Sequence, residues 1–248
     1  MTTTELSPAV GAGVANLLSV VGDNKYWLGH HLSQWAVGTP GLESAVACAA
    51  ISQGHLGQSR ALLPIADELA GEGVSLGEPE SRERRYNVTA LDEEFDTWAQ
   101  AVATLYLVDP ALDTVLRSLG GVAEELDRRV QRVLEESRFN FDFARGRLEE
   151  LTEDYAAGRD QVAPHLPRIL LEVLAWFGPD GEPGVQALAD AGVLVTDNEG
   201  MRQRYLDTVA PLLHELGYDV GVAGGPGAWT YPELPWESWN SLQRRLET

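Results

Sequence analysis

The chain has 248 residues, 44% of them hydrophobic, which supports one large domain or two small ones around a substantial core. Its formal net charge of -20 argues against nucleic acid or an anionic membrane as a partner, and its single cysteine, Cys48, excludes an internal disulfide. The start MTTTELSPAV lacks the basic and apolar regions of a signal peptide, and no run approaches the ~20 apolar residues of a membrane span, so a reducing cytoplasm is expected.

Apolar periodicity predicts helix nearly throughout, with no alternating strand pattern. A first helix is expected over 7–37, ended by Pro40 and Gly41, with a stripe of Leu18, Val21, Lys25, Leu28, Leu32 and Trp35. A second spans 42–70 and stops at Gly71-Glu72-Gly73. Small residues crowd its first half (Ser44, Ala45, Ala47, Cys48), which predicts close helix packing. Residues 74–88 form a loop. A third helix is expected to start near Leu91, where Asp92, Glu93 and Glu94 would favour its positive end. Its stripe is Phe95, Trp98, Val102, Leu105, Asp109, Leu112, Leu116 and Leu119, and Pro110 should kink or break it just after Asp109. Gly120-Gly121 lead into a fourth helix over 122–151, with Leu126, Val130, Val133, Ser137, Asn140, Ala144, Leu148 and Leu151 on its buried face.

These four helices predict an all-α antiparallel bundle over about 7–155, within one domain spanning 1–248. Further helices at 164–177, 184–191, 198–216 and 235–246 would surround it, within a peripheral region over 160–248. Residues 217–232, rich in glycine, proline and aromatics, would form an ordered surface loop or a partner-contacting tail.

Polar residues interrupt all four stripes. Ser137 and Asn140 stand one turn apart, where a Glu and a His would make half of a four-helix di-iron site. Lys25 and Asp109 are single charges on apolar faces, and each would shift its pKa or find a partner. They would neutralise one another, with His55, Gln58, Ser137 and Asn140 supplying the remaining hydrogen bonds. Any one of these residues alone is what a partly exposed helix end commonly carries, and Lys25 could snorkel outward. The coincidence on four helices is what points to a site.

Several stretches resemble the C subunit of the bacterial phenylacetyl-CoA epoxidase, the phenylacetate-CoA oxygenase. They are Gly22-Asp23-Asn24, Leu32 and Trp35, then Leu56-Gly57-Gln58-Ser59-Arg60, then Glu68-Leu69-Ala70-Gly71-Glu72-Gly73, and finally Arg138 through Gly146. The resemblance covers about 17–177 and implies a ferritin-like fold. In that family a catalytic subunit holds two irons and the C subunit is a related partner without iron. Carried over by position, Lys25, His55, Gln58, Asp109, Ser137 and Asn140 would be vestiges of a di-iron site, with only Asp109 keeping a ligand of the expected type. The chain departs from the family at Asn140, where a His is common. It also departs over 224–239, where basic and His-rich residues are missing.

The reading that follows is a non-catalytic structural subunit of a multicomponent di-iron oxygenase acting on an aromatic acyl-CoA. It would hold no cofactor itself and would pair with a homologous iron-bearing subunit, and with other oxygenase subunits, in a hetero-oligomer. Two alternatives stand beside it. One is a metal-dependent enzyme with a rearranged mononuclear site built from His55, Asp109, Glu135 or Glu136, and His30 or His31. The other is a free-standing helical binding or assembly module. His165 is expected at a helix start and His214 at the surface, and Gly224-Gly225-Pro226-Gly227 lacks the strand and the Lys-Ser/Thr of a phosphate-binding loop.

Overall fold

The structure, a computed structural model, describes residues 6–71, 79–81, 86–120, 122, 124–155 and 157–247. Four long helices carry the fold: α1 (Pro8–Trp35), α2 (Leu42–Ala70), α3 (Trp98–Ser118) and α4 (Glu124–Glu153). Ser7 caps α1 by accepting from the Val10 N–H at 3.4 Å, and Pro8 fills a first-turn position whose missing N–H costs nothing. Packed neighbours run antiparallel. Gly22 meets Leu63 and Gly29 meets Ser52 between α1 and α2. Trp98 meets Phe143 and Asp109 meets Asn140 between α3 and α4. Lys25 meets Asp109 and Trp35 meets Trp98 between α1 and α3, while Gln58 meets Glu136 and Ala61 meets Arg129 between α2 and α4. The bundle is the all-α, ferritin-like arrangement expected. The described residues contain no helix long and apolar enough to cross a membrane.

Close approach of α1 and α2 depends on glycine. A Cβ on Gly22 would stand 2.7 Å from Leu63 Cδ2, and one on Gly29 would stand 2.9 Å from the Ser52 carbonyl oxygen. Leu63 can rotate away, whereas the Ser52 backbone cannot, and Ser52 Oγ also donates to the Gly29 carbonyl at 2.7 Å. Gly29→Ala is therefore expected to lower stability by about 1–3 kcal/mol, overpacking outweighing the better helix propensity of alanine. Urea unfolding followed by circular dichroism measures it, and an unchanged midpoint would contradict the contact.

The expected start of the third helix fails for an identifiable reason. The third helix begins at Trp98, not near Leu91. Residues 89–91 form a single 3-10 turn, and the side chain of Thr97 caps α3 by accepting from the Gln100 N–H at 3.1 Å. Asp92 serves elsewhere: its carboxylate accepts from Asn87 at 2.9 Å and from Arg245 of the distant C-terminal segment. Pro110 lies inside α3 without breaking it. It removes one helical donor, and the residues around it are buried against the outer helices, whose packing holds the chain helical.

The outer layer comprises α5 (Gly158–Val162), α6 (His165–Trp176), α7 (Pro183–Asp190) and α8 (Asn198–Glu215). Both α6 and α8 pack on α3. Two tyrosines tie α3 to α8, Tyr106 Oη donating to the Val209 carbonyl and Tyr205 Oη to the Leu107 carbonyl, at 2.8 and 3.0 Å. His165 opens α6, and His214 is exposed. The segment 217–232 is ordered along α8, with Trp229 Nε1 donating to Asp207 at 2.7 Å. The helix expected over 235–246 is absent. The chain makes a 3-10 turn at Trp236–Ser238 and then a two-stranded hairpin, β1 (Trp239–Asn240) with β2 (Arg245–Leu246). Asn240 Oδ1 accepts from the N–H groups of Leu242 and Gln243 and closes that turn. Arg244, buried and at φ 52, donates to the Phe177 carbonyl and to Asn198. These tertiary bonds override the helical composition of the segment. The loop expected over 74–88, the stop at Gly71-Glu72-Gly73 and the Gly120-Gly121 punctuation lie partly outside the described residues.

Candidate functional site

Each of the four bundle helices delivers polar side chains to one buried point. Lys25 arrives from α1, His55 and Gln58 from α2, Asp109 from α3, and Ser137 and Asn140 from α4, and all six are buried. The Lys25 ammonium lies 2.5 Å from Asp109 Oδ1 and donates to Ser137 Oγ at 3.1 Å. Asn140 Nδ2 donates to the other Asp109 oxygen at 3.2 Å and lies 3.5 Å from His55 Nε2. His55 Nε2 stands 3.9 Å from Asp109 Oδ1. Gln58 Nε2 donates to Glu136 at 3.2 Å, while its side chain also lies against His55.

Asp113, one turn beyond Asp109 on α3, also faces the ammonium, at 3.6 Å. Stripe periodicity does not single it out, although its i+4 spacing from Asp109 is visible in the sequence. One cation therefore faces two carboxylates.

The electrostatics follow from burial. Burial alone would lower the Lys25 pKa, but the Asp109 and Asp113 carboxylates more than offset it, and the net shift is upward. Burial would raise Asp109, and Lys25 reverses that, so Asp109 stays ionised. Asp113 is pushed up from 3.8 to about 6, first by burial, with Lys25 opposing and Asp109 adding to the rise. His55 falls from 6.5 to about 4, again through burial first, so it is neutral near pH 7. The centre holds a buried Lys25–Asp109 ion pair with Asp113 as a second, weakly held carboxyl.

This donor set does not fit a pair of irons. A protonated amine has no lone pair to give a metal, and here it occupies the middle of the cluster. Asn140 brings an amide and Ser137 a hydroxyl, both poorer iron ligands than a carboxylate or an imidazole. Among the described residues, His, Cys, Asp and Glu gather nowhere in a group of three or more suited to hold a metal ion. Beyond His55 and Asp109, the residues of the mononuclear alternative are dispersed. Glu135, Glu136 and His30 are exposed, and His31 Nε2 lies 3.0 Å from the Leu91 carbonyl, its ring beside Phe95.

Residues 3–225 match a family model described as phenylacetic acid catabolic protein. The chain belongs to that family. It is also similar to the C subunit of the 1,2-phenylacetyl-CoA epoxidase of Escherichia coli (strain K12), with 32% identity over 136 residues. That stretch is 53% of this chain and 54% of the relative, so the chain spans about half the length of the curated relative it matches. The family match ends before the 239–246 hairpin. Membership accounts for the bundle.

Proposed function

We propose that this chain is a non-catalytic, cytoplasmic subunit of a multicomponent oxygenase acting on an aromatic acyl-CoA. It pairs with a homologous subunit that binds two irons, stabilises that subunit, and carries no iron of its own. The name of the Escherichia coli relative, an epoxidase subunit, supports the reaction class. The observation that carries the rest is the Lys25 ammonium between Asp109, Asp113 and Ser137. A positive charge at the heart of a helical bundle repels a metal cation and neutralises the carboxylate that would bind it. Lys25, His55, Gln58, Asp109, Ser137 and Asn140 are on this reading the vestiges of a metal site.

The test uses the whole chain, alone and with a homologous chain that keeps a full carboxylate and histidine set. Purified from iron-supplemented cells, it is expected to hold only substoichiometric iron by elemental analysis. Co-expressed with the homologue, it should elute with it as one hetero-oligomer by native mass spectrometry. Stoichiometric iron in the lone chain would overturn the non-catalytic reading. Failure to associate with the iron-bearing chain encoded nearest to it would overturn the pairing.

A further inference from the structure

Beside the buried ion pair lies a second feature that the subunit reading does not use. A cavity of about 400 Å³ opens where α3, α4 and α8 meet. Its lining includes Arg117 from α3, Arg138 from α4 and Arg204 from α8, with Phe141, Asp113 and Asp109. Arg138 and Arg204 have no carboxylate within 4.0 Å among the described residues, and Arg117 has only Asp113, at 4.0 Å. Most other arginines of the bundle are paired with acids, Arg128 and Arg129 with Glu125, Arg132 with Glu136 and Arg145 with Glu149.

In a chain of net charge -20, unmatched cations converging on one concavity are unexpected. The lining brings three positive charges, Arg117, Arg138 and Arg204, against the two carboxylates of Asp109 and Asp113. The local balance favours an anion, and the volume falls in the range of small-molecule sites, ~300–1,000 Å³. Arg138 and Arg204 are exposed, so an anion can reach both guanidinium groups from solvent. Guanidinium groups match phosphate oxygens two at a time. Phe141 stacks one ring face on Tyr106, with centroids 5.4 Å apart and planes at 21°, which fixes its orientation as a wall of the cavity.

We propose that this cavity binds a diphosphate group, free or as a nucleoside ester, through Arg117, Arg138 and Arg204. The ligand sits at the arginine-lined mouth, away from Asp109. The proposal is independent of the non-catalytic assignment, since neither the ion pair nor any metal takes part in it.

The test is calorimetric titration of the full chain with inorganic pyrophosphate and, separately, with adenosine diphosphate. Wild type is expected to bind one equivalent, with affinity that weakens as salt is raised. Arg138→Ala/Arg204→Ala should bind at least about tenfold more weakly, because two charge-assisted contacts are gone. Arg128→Ala/Arg132→Ala, which removes two exposed arginines elsewhere on α4, should bind as wild type does. Circular dichroism establishes that each variant is folded. Tighter binding of adenosine diphosphate supports an ester whose base rests on Phe141, and equal binding supports recognition of the phosphates alone. No saturable binding of either probe, or equal weakening in both double variants, overturns the proposal. So does binding of an acidic peptide in preference to both probes.

Discussion

Lys25→Met is expected to destabilise the chain by about 3–5 kcal/mol, the usual consequence of removing one partner of a buried ion pair. That is a large fraction of a domain's total stability, about 5–15 kcal/mol. The cause lies in what remains. Asp109 would be left 1% exposed with only Asn140 donating to it, and Asp113 would lose the same cation. The cost has a sign in pH. With Lys25 gone, burial makes the Asp109 pKa higher in the folded chain than in the unfolded one, so the deficit should be largest near pH 8 and shrink as both carboxyls take up protons. Asp109→Asn should cost less than Lys25→Met, because Asp113 remains 3.6 Å from the ammonium as a second counter-ion. Lys25→Met/Asp109→Leu should recover much of the loss, an apolar pair being a workable substitute for a buried ion pair. Urea unfolding of the four chains at pH 8 and pH 5 measures these differences. A Lys25→Met variant as stable as wild type would mean that water reaches the pair and that the bundle centre is not a low-dielectric site.

The bundle is legible in the sequence because its signal is dense. Four long stripes with a period near 3.6 set which faces turn inward, and the polar interruptions fall on those faces. Ser137 and Asn140, one turn apart on α4, come to the same carboxylate-ammonium pair from a chain distance of more than a hundred residues from Lys25. The centre is legible only in part. Gln58 has the right face but turns its amide to Glu136, a choice of rotamer that periodicity does not encode. Asp113 escapes the pattern because it sits beside the stripe, and helix spacing alone does not say that a lysine from another helix reaches it. The start of α3 is hidden because Asp92, Glu93 and Glu94 look like a helix amino terminus. Asp92 is claimed by Arg245, a contact across 153 positions that no local pattern contains. The C-terminal hairpin is hidden for the same reason: Arg244 and Asn240 answer to distant or turn-closing partners rather than to helix propensity.

Asp113→Asn is expected to make the chain more stable at pH 7, by about 1–3 kcal/mol, and more sensitive to acid. Both parts follow from the pKa shifts. The folded pKa of Asp113, about 6, lies above its ordinary value of 3.8. Above pH 6 its ionised form therefore opposes folding, and that penalty fades as pH falls toward 4, where folded and unfolded chains are both protonated. His55 behaves oppositely. Its folded pKa, about 4, lies below its ordinary 6.5, so folding is unaffected above 6.5 and increasingly disfavoured as pH falls through that window. Each tenfold separation in proton affinity is worth ~1.4 kcal/mol, so the two groups contribute opposing terms of about 3 kcal/mol over nearly the same range. In the wild type they offset one another, and stability should vary little from these two groups between pH 6.5 and 4. Asparagine keeps the shape of Asp113 and removes its charge, which leaves the His55 term exposed. The variant should then start above wild type at pH 7 and converge with it near pH 4. Adding His55→Gln should flatten the curve again. Urea midpoints at several pH values between 4 and 7.5 measure all three chains, and an Asp113→Asn variant no more stable than wild type at pH 7 would show that Asp113 is well solvated. The same substitution removes a negative charge from the floor of the arginine-lined cavity, so it should also tighten pyrophosphate binding at pH 7. That links the buried pair to the cavity through one residue, which faces both.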